Sequence, residues 1–303
     1  MDAWQSLSLL RDSAKREKPR WSERQRVRPL LADIGALTLF GSTTTFWRGH
    51  SNADYRLTPR LARDQAGDVR TRVESLLEEQ ERASHLWREG VTLRGLTELE
   101  RLALLQHTGT ATPLLDLTAD PLVALYFAAR DHPLKSGKMA HGLLIGWNAV
   151  DWVDLRHKGD ETERKPSYWS IVEDLRKQHK VGWIAPPVVN DRIVVQRSRL
   201  LVAPLATDEP ENRWYKTISD LVLPPLPKDW GETPLANLFK EEGGGRLKMP
   251  PVVAFRVPRD LKRFVRGILE RNYGISHLSL FPEAAGFAQR PAPGSGAASA
   301  AEG

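Results

Sequence analysis

The sequence predicts an α+β fold, with central mixed or antiparallel sheets flanked by helices. Two observations carry that expectation. Amphipathic helical segments dominate the first half of the chain, and strand-like segments dominate residues 140–257. Early helices around a few strands, followed by mostly strands, indicate α+β. With 303 residues and 41% hydrophobic content, the chain can bury a substantial core.

The elements follow in order. Residues 1–35 read as a basic, partly helical lead-in. "TLFGSTTTFWRGHS" reads as a strand, rich in threonine and aromatics, with Phe46, Arg48 and His50 on one face. "DVRTRVESLLEEQERASHLWREG" is an amphipathic helix with Val73, Leu76, Leu77, Ala83 and Trp87 at helical spacing and Gly90 as its stop. "TELERLALLQHTG" opens with a capping box, Thr97 to Glu100, and turns Leu99, Leu102 and Ala103 inward. "ATPLLDLT" is a short buried strand. "DPLVALYFAARDH" is a helix with Asp120 as N-cap and Pro121 in its first turn, and its all-round apolar character makes it central.

Strands are expected in "HGLLIGWNAVDWV", "DRIVVQRSRLLVAPL" and "PPVVAFRVP", with loops rich in Pro, Gly and charge over 204–250. "RDLKRFVRGILERNY" is a helix whose stripe is Leu261, Phe264, Val265, Ile268 and Leu269, capped by Gly274. The composition of 291–303 cannot form a core, and a disordered tail is expected there. The organisation expected is therefore lead-in to 35, one domain over 36–290, and tail.

Composition excludes several chemistries. Cysteine is absent, which removes disulfides, thiolate metal sites and cysteine nucleophiles, and suits a reducing cytoplasm. No apolar run approaches the roughly 20 residues that cross a bilayer, and the N-terminus has no apolar signal core, so no membrane partner is expected. Phosphate-binding glycine loops, H-E-x-x-H and G-x-S-x-G are all missing, and no metal is expected. "EEGGGRLK" lacks a flanking strand and helix and reads as a mobile loop. The formal charge of +6 is partly concentrated: residues 11–30 hold eight basic side chains against three acidic ones. Such clustering suits an anionic partner, nucleic acid or acidic protein, or else a solvated helix face.

Two polar interruptions stand out. Gln106 and His107 close a helix, and Asp116 and Thr118 flank Leu117 in the next strand. Polar groups between apolar segments form either a hydrogen-bonded lock or a reactive site. A histidine at a helix C-terminus is favoured in its charged form by the dipole. Gln196 interrupts a β-branched run and marks a bulge, a strand end or a site.

Taken together, these pieces resemble the FRG domain family, named for a Phe-Arg-Gly motif. The residues are Trp47-Arg48-Gly49, Leu57-Thr58-Pro59, Gln106-His107 through Asp116 and Thr118, "ALYFA" at 124–128, "RIVVQ" at 192–196, and "LFPEAAG" at 280–286. Tryptophan replaces the motif's phenylalanine, and Thr108, Ala111 and Pro113 stand where the family commonly has Tyr, Pro and Arg. Leu117 stands in place of its usual tryptophan.

FRG proteins look like toxin or phage-defence components, and their pattern is similar to ADP-ribosyltransferases of the Arg-Ser-Glu type. The resemblance implies that Arg48 clamps the diphosphate of NAD, a substrate rather than a resident cofactor, with Gly49, Gln106 and Thr118 in the same binding set. It implies catalytic roles for Arg48, His107, Asp116, Thr118 and Gln196, with Gln196 near the place of the transferase glutamate and His107 or Asp116 as base. Backbone donors at Asp120-Pro121 would add to the anion site. The acceptor would be nucleic acid or protein, and an acidic antitoxin would be a further partner. A non-catalytic nucleotide or nucleic-acid-binding module is the alternative.

Overall fold

The computed structural model describes residues 10–12, 23–40, 44–63, 68–83, 96–156, 166–188, 191–205, 221, 223 and 252–282. The expected continuation of the third helix through Trp87 to Gly90, most of 204–250 with "EEGGGRLK", the end of "LFPEAAG" and the tail all lie outside them.

Eight strands form one mixed sheet among the described residues. They are β1 Leu10–Asp12, β2 Thr45–His50, β3 Leu115–Thr118, β4 Gly142–Asn148, β5 Val153–Asp154, β6 Gly182–Ile184, β7 Ser198–Val202 and β8 Val252–Val257, in spatial order β1-β8-β4-β2-β3-β7-β6-β5. The two outer pairs, β1–β8 and β5–β6, are parallel, and every pairing between them is antiparallel. The helices are α1 Glu23–Phe40, α2 Arg60–Arg63, α3 Val69–Ala83, α4 Glu98–His107, α5 Pro121–Ala128, α6 Tyr168–Lys177, α7 Asp191–Val195, α8 Lys262–Tyr273 and α9 His277–Leu280. The α+β expectation thus holds at the level of a mixed sheet flanked by helices.

Several local readings hold for the reasons given. Thr97 and Glu100 form the capping box of α4, and Asp120 caps α5 with Pro121 in its first turn. Val123, Ala124, Leu125 and Tyr126 of α5 are buried, so it is the central helix. Gly274 ends α8 in the left-handed conformation, which costs glycine little.

Three differences matter. The basic lead-in continues as α1, which runs past residue 35, and Val27, Leu30, Ile34 and Leu37 bury its stripe in the main core. The first strand begins only at Thr45, because Thr38–Phe40 belong to α1. "RIVVQ" is not a strand. Asp191–Val195 is a helical turn with Ile193 buried while Val194 and Val195 are exposed, Arg197 follows at φ 45°, and the strand starts at Ser198.

The core has two parts. One joins α1, α5 and α8 to β2, β4 and β8; the other joins α3, α4 and α6 to Ile184 of β6 and Leu200 and Val202 of β7. Between them, β2 and β3 register at one position, Trp47 with Thr118. β2 pairs with β4 over six positions and β3 with β7 over four. The sheet is thus least tightly knit at its centre.

α5 packs closely over this centre. A Cβ at Gly49 would collide with the Ala124 carbonyl oxygen and stand 2.6 Å from the Ala128 nitrogen. Glycine at 49 is required by helix-on-sheet packing.

Candidate functional site

A cavity of about 430 Å3 opens where β2 and β3 part. Its lining includes Arg48 and Gly49 from β2, Gln106 and His107 from the end of α4, and Asp116 and Thr118 from β3. Gln196, just after α7, completes the set. Every site residue expected from sequence therefore borders one space.

Arg48 is held from two sides. Its Nε donates to His50 Nε2 at 2.8 Å, and its Nη1 donates to the main-chain carbonyl of Asp116 across the parting strands. Burial, aided by nearby Arg63, pulls its pKa down to about 10 against the pull of Asp116, so it remains a cation at neutral pH. Two of the five donors that a guanidinium carries are thus engaged, and neither N–H of Nη2 has a hydrogen-bond partner among the described residues.

Asp116 is held through its side chain as well. Its Oδ1 accepts from Gln106 Nε2 at 2.8 Å, and Gln106 Oε1 in turn accepts from the Thr112 hydroxyl. Gln106 is therefore an orienting residue: its amide fixes the carboxylate while Arg48 takes the carbonyl of the same residue.

His107 is buried, and its Nε2 finds no hydrogen-bond partner among the described residues. Burial lowers its pKa, Arg192 adds to that, and Asp116 opposes it. The helix dipole therefore does not make it an imidazolium; desolvation wins, and a neutral ring with a buried, unpartnered nitrogen borders the cavity.

Thr118 and Gln196 are engaged in the scaffold. The Thr118 hydroxyl donates to the Gln196 main-chain carbonyl at 2.6 Å and accepts from the Asp120 amide at 3.0 Å. Gln196 Nε2 donates to the Leu280 carbonyl at 2.9 Å. The expected backbone donors at the start of α5 are also occupied, since Asp120 Oδ1 accepts from Leu122 and Val123.

The lining residues that sequence reading did not assign to the site include Arg60, Arg192, Phe127 and Ser198. Arg192 and Gln196 lie four residues apart, the spacing of one helix face, and only the helical reading of "RIVVQ" reveals it. Arg60 reaches the rim from α2 and donates to the Gly109 carbonyl at 2.9 Å. With Arg48, these give the cavity three guanidinium groups against one carboxylate.

The chain is thus an α+β domain whose mixed sheet parts around a cavity lined by three arginines. A model of the FRG domain matches residues 43–136 of the chain. No curated protein and no solved structure matches the chain. No helix among the described residues is long and apolar enough to cross a membrane.

Proposed function

We propose that this cavity binds NAD and that the protein is an ADP-ribosyltransferase-like enzyme, a cytoplasmic toxin or phage-defence effector acting on nucleic acid or protein. The observation that carries the reading is the convergence of Arg48, His107, Asp116, Thr118 and Gln196 on one space that also gathers Arg60 and Arg192. A volume of about 430 Å3 accommodates a nucleotide-sized ligand.

In this reading Arg48 Nη2, with Arg60 and Arg192, binds the diphosphate by charge-assisted hydrogen bonds. The carbon–nitrogen bond to nicotinamide breaks, its electron pair leaving with the ring, and the Asp116 carboxylate stabilises the positive charge that develops on the sugar. An acceptor nucleophile forms the new bond to that carbon and gives its proton to His107 Nε2, whose neutral state suits a base. Thr118 and Gln196 act through the scaffold: their bonds hold β3, α7 and α9 in register.

The alternative is a nucleotide- or nucleic-acid-binding module without chemistry. One observation favours it: the side chain at 196 is an amide whose donor is engaged with Leu280, leaving no carboxylate there.

Incubation with labelled NAD and a cell lysate, beside Arg48→Ala and His107→Ala, separates the two. Label on RNA, DNA or protein that both substitutions abolish supports the transferase. Saturable NAD binding without transfer supports the binding module. The absence of both overturns both.

A further inference from the structure

We infer that His50 is the positioning residue of this site, one that keeps the Arg48 guanidinium off the Asp116 carboxylate and aimed at an incoming anion. The inference rests on the reading that the cavity takes an anionic, nucleotide-like ligand.

Arg48 and Asp116 are opposite charges side by side, and the simplest arrangement would be a direct ion pair. Such a pair would neutralise the cation that a phosphate needs. The structure avoids it by giving each group another partner. The Asp116 carboxylate is held by Gln106 Nε2, and Arg48 binds the Asp116 carbonyl with Nη1. The remaining freedom of the guanidinium is rotation about its long axis, and the bond from Nε to His50 Nε2 at 2.8 Å removes it.

His50 is suited to that task and is held for it. It lies two residues from Arg48 in β2, hence on the same face. It is 4% exposed, and its ring stands edge-on to Tyr55 with centroids 6.3 Å apart. The next residue, Ser51, is gripped through its carbonyl by Lys262 Nζ at 2.6 Å, which fixes the end of the strand.

To accept from Arg48, Nε2 must be unprotonated, so the proton of the neutral ring sits on Nδ1. That Nδ1 is buried beside the main chain of Tyr55.

Calorimetric titration of the full chain with ADP tests this, using His50→Leu, His50→Gln and the double variant His50→Leu/Asp116→Asn. His50→Leu is expected to weaken ADP binding about tenfold, the worth of one misdirected charge-assisted bond. His50→Gln, whose side-chain oxygen can still accept from Nε, should stay within about threefold of the parent. The double variant removes the carboxylate onto which Arg48 collapses and should regain binding over His50→Leu. Equal ADP affinity in His50→Leu and the parent overturns the inference. So does a loss that neither His50→Gln nor the double variant repairs, which marks ordinary structural damage. If the parent itself binds no ADP, the reading of the cavity fails, and His50 is decided by its ring nitrogen shifts. An unprotonated Nε2 coupled to the Arg48 Nε–H supports the positioning role, and a protonated Nε2 overturns it.

Discussion

Gln196 donates its side-chain amide to the main-chain carbonyl of Leu280 at 2.9 Å, so the residue that the resemblance sets near a transferase glutamate is a strut between α7 and α9. Gln196 is 8% exposed, and a charged replacement would face a carbonyl in a dry setting. Gln196→Glu is expected to lower stability by about 1–3 kcal/mol at pH 8. At pH 5 the loss should be smaller, because a protonated carboxyl can donate to Leu280 as the amide does. Urea denaturation at the two pH values checks this; an equal or smaller loss at pH 8 counts against the strut.

Gly49→Ala places a methyl group against main-chain atoms of α5, which cannot swing aside. Overpacking of this kind costs about 1–3 kcal/mol or more. The variant should show a clear drop in melting temperature and lose ligand binding with it. Loss of binding at an unchanged melting temperature would instead tie the glycine to close approach of a ligand.

Lys262 sits at the start of α8 with 1% exposure, its Nζ bonded to the carbonyls of Ser51 at 2.6 Å and Arg130 at 2.9 Å. Burial brings its pKa down to about 8, against the pull of Asp131 and with help from Arg266. The sign follows from proton counting. Between pH 8 and about 10.5 the unfolded chain holds a proton that the folded chain has released, so stability rises with pH across that window. A neutral amine still has two N–H groups for the two carbonyls. The stability difference between the parent and Lys262→Met should therefore grow by about 1 kcal/mol from pH 7.5 to 9. A flat or shrinking difference in denaturation midpoints would refute it.

His107 gives the opposite end of the scale. Its folded pKa lies below 6.5 because burial outweighs Asp116, so on acidification the unfolded chain takes up the proton first. The contribution of the neutral ring is present above about 6.5 and is lost as pH falls through the folded value. Relative to His107→Gln, the parent should lose stability between pH 7 and 5. Parallel denaturation series, or the ring shifts of His107 on titration, provide the check.

Much of this was legible in the residues. Thr97 and Glu100, and Asp120 with Pro121, announce their helices because capping is local chemistry. The convergence of the site residues on one cavity followed from the family pattern and not from local chemistry. "RIVVQ" misled because three β-branched residues outweigh any helical signal over so short a run. Burial of Ile193 and the anchoring of Gln196 to Leu280 accompany the helical turn instead. α1 was hidden by its charge, although Val27, Leu30, Ile34 and Leu37 already stand at core spacing. Lys262 was invisible because a lysine at a helix start reads as exposed, and only the two carbonyls brought from distant loops explain its burial.

The family match ends at residue 136, before β4 and β7, the strands that flank β2 and β3. A fragment cut to the matched stretch would keep most of the recognisable motif yet strip both strands of their outer neighbours. The bare peptide edges left behind are templates for further strand addition, so such a fragment should precipitate as β-rich aggregate. It would also lack Arg192 and Gln196 at the cavity wall. For expression and for engineering, the smallest useful unit is set by the sheet, not by the motif.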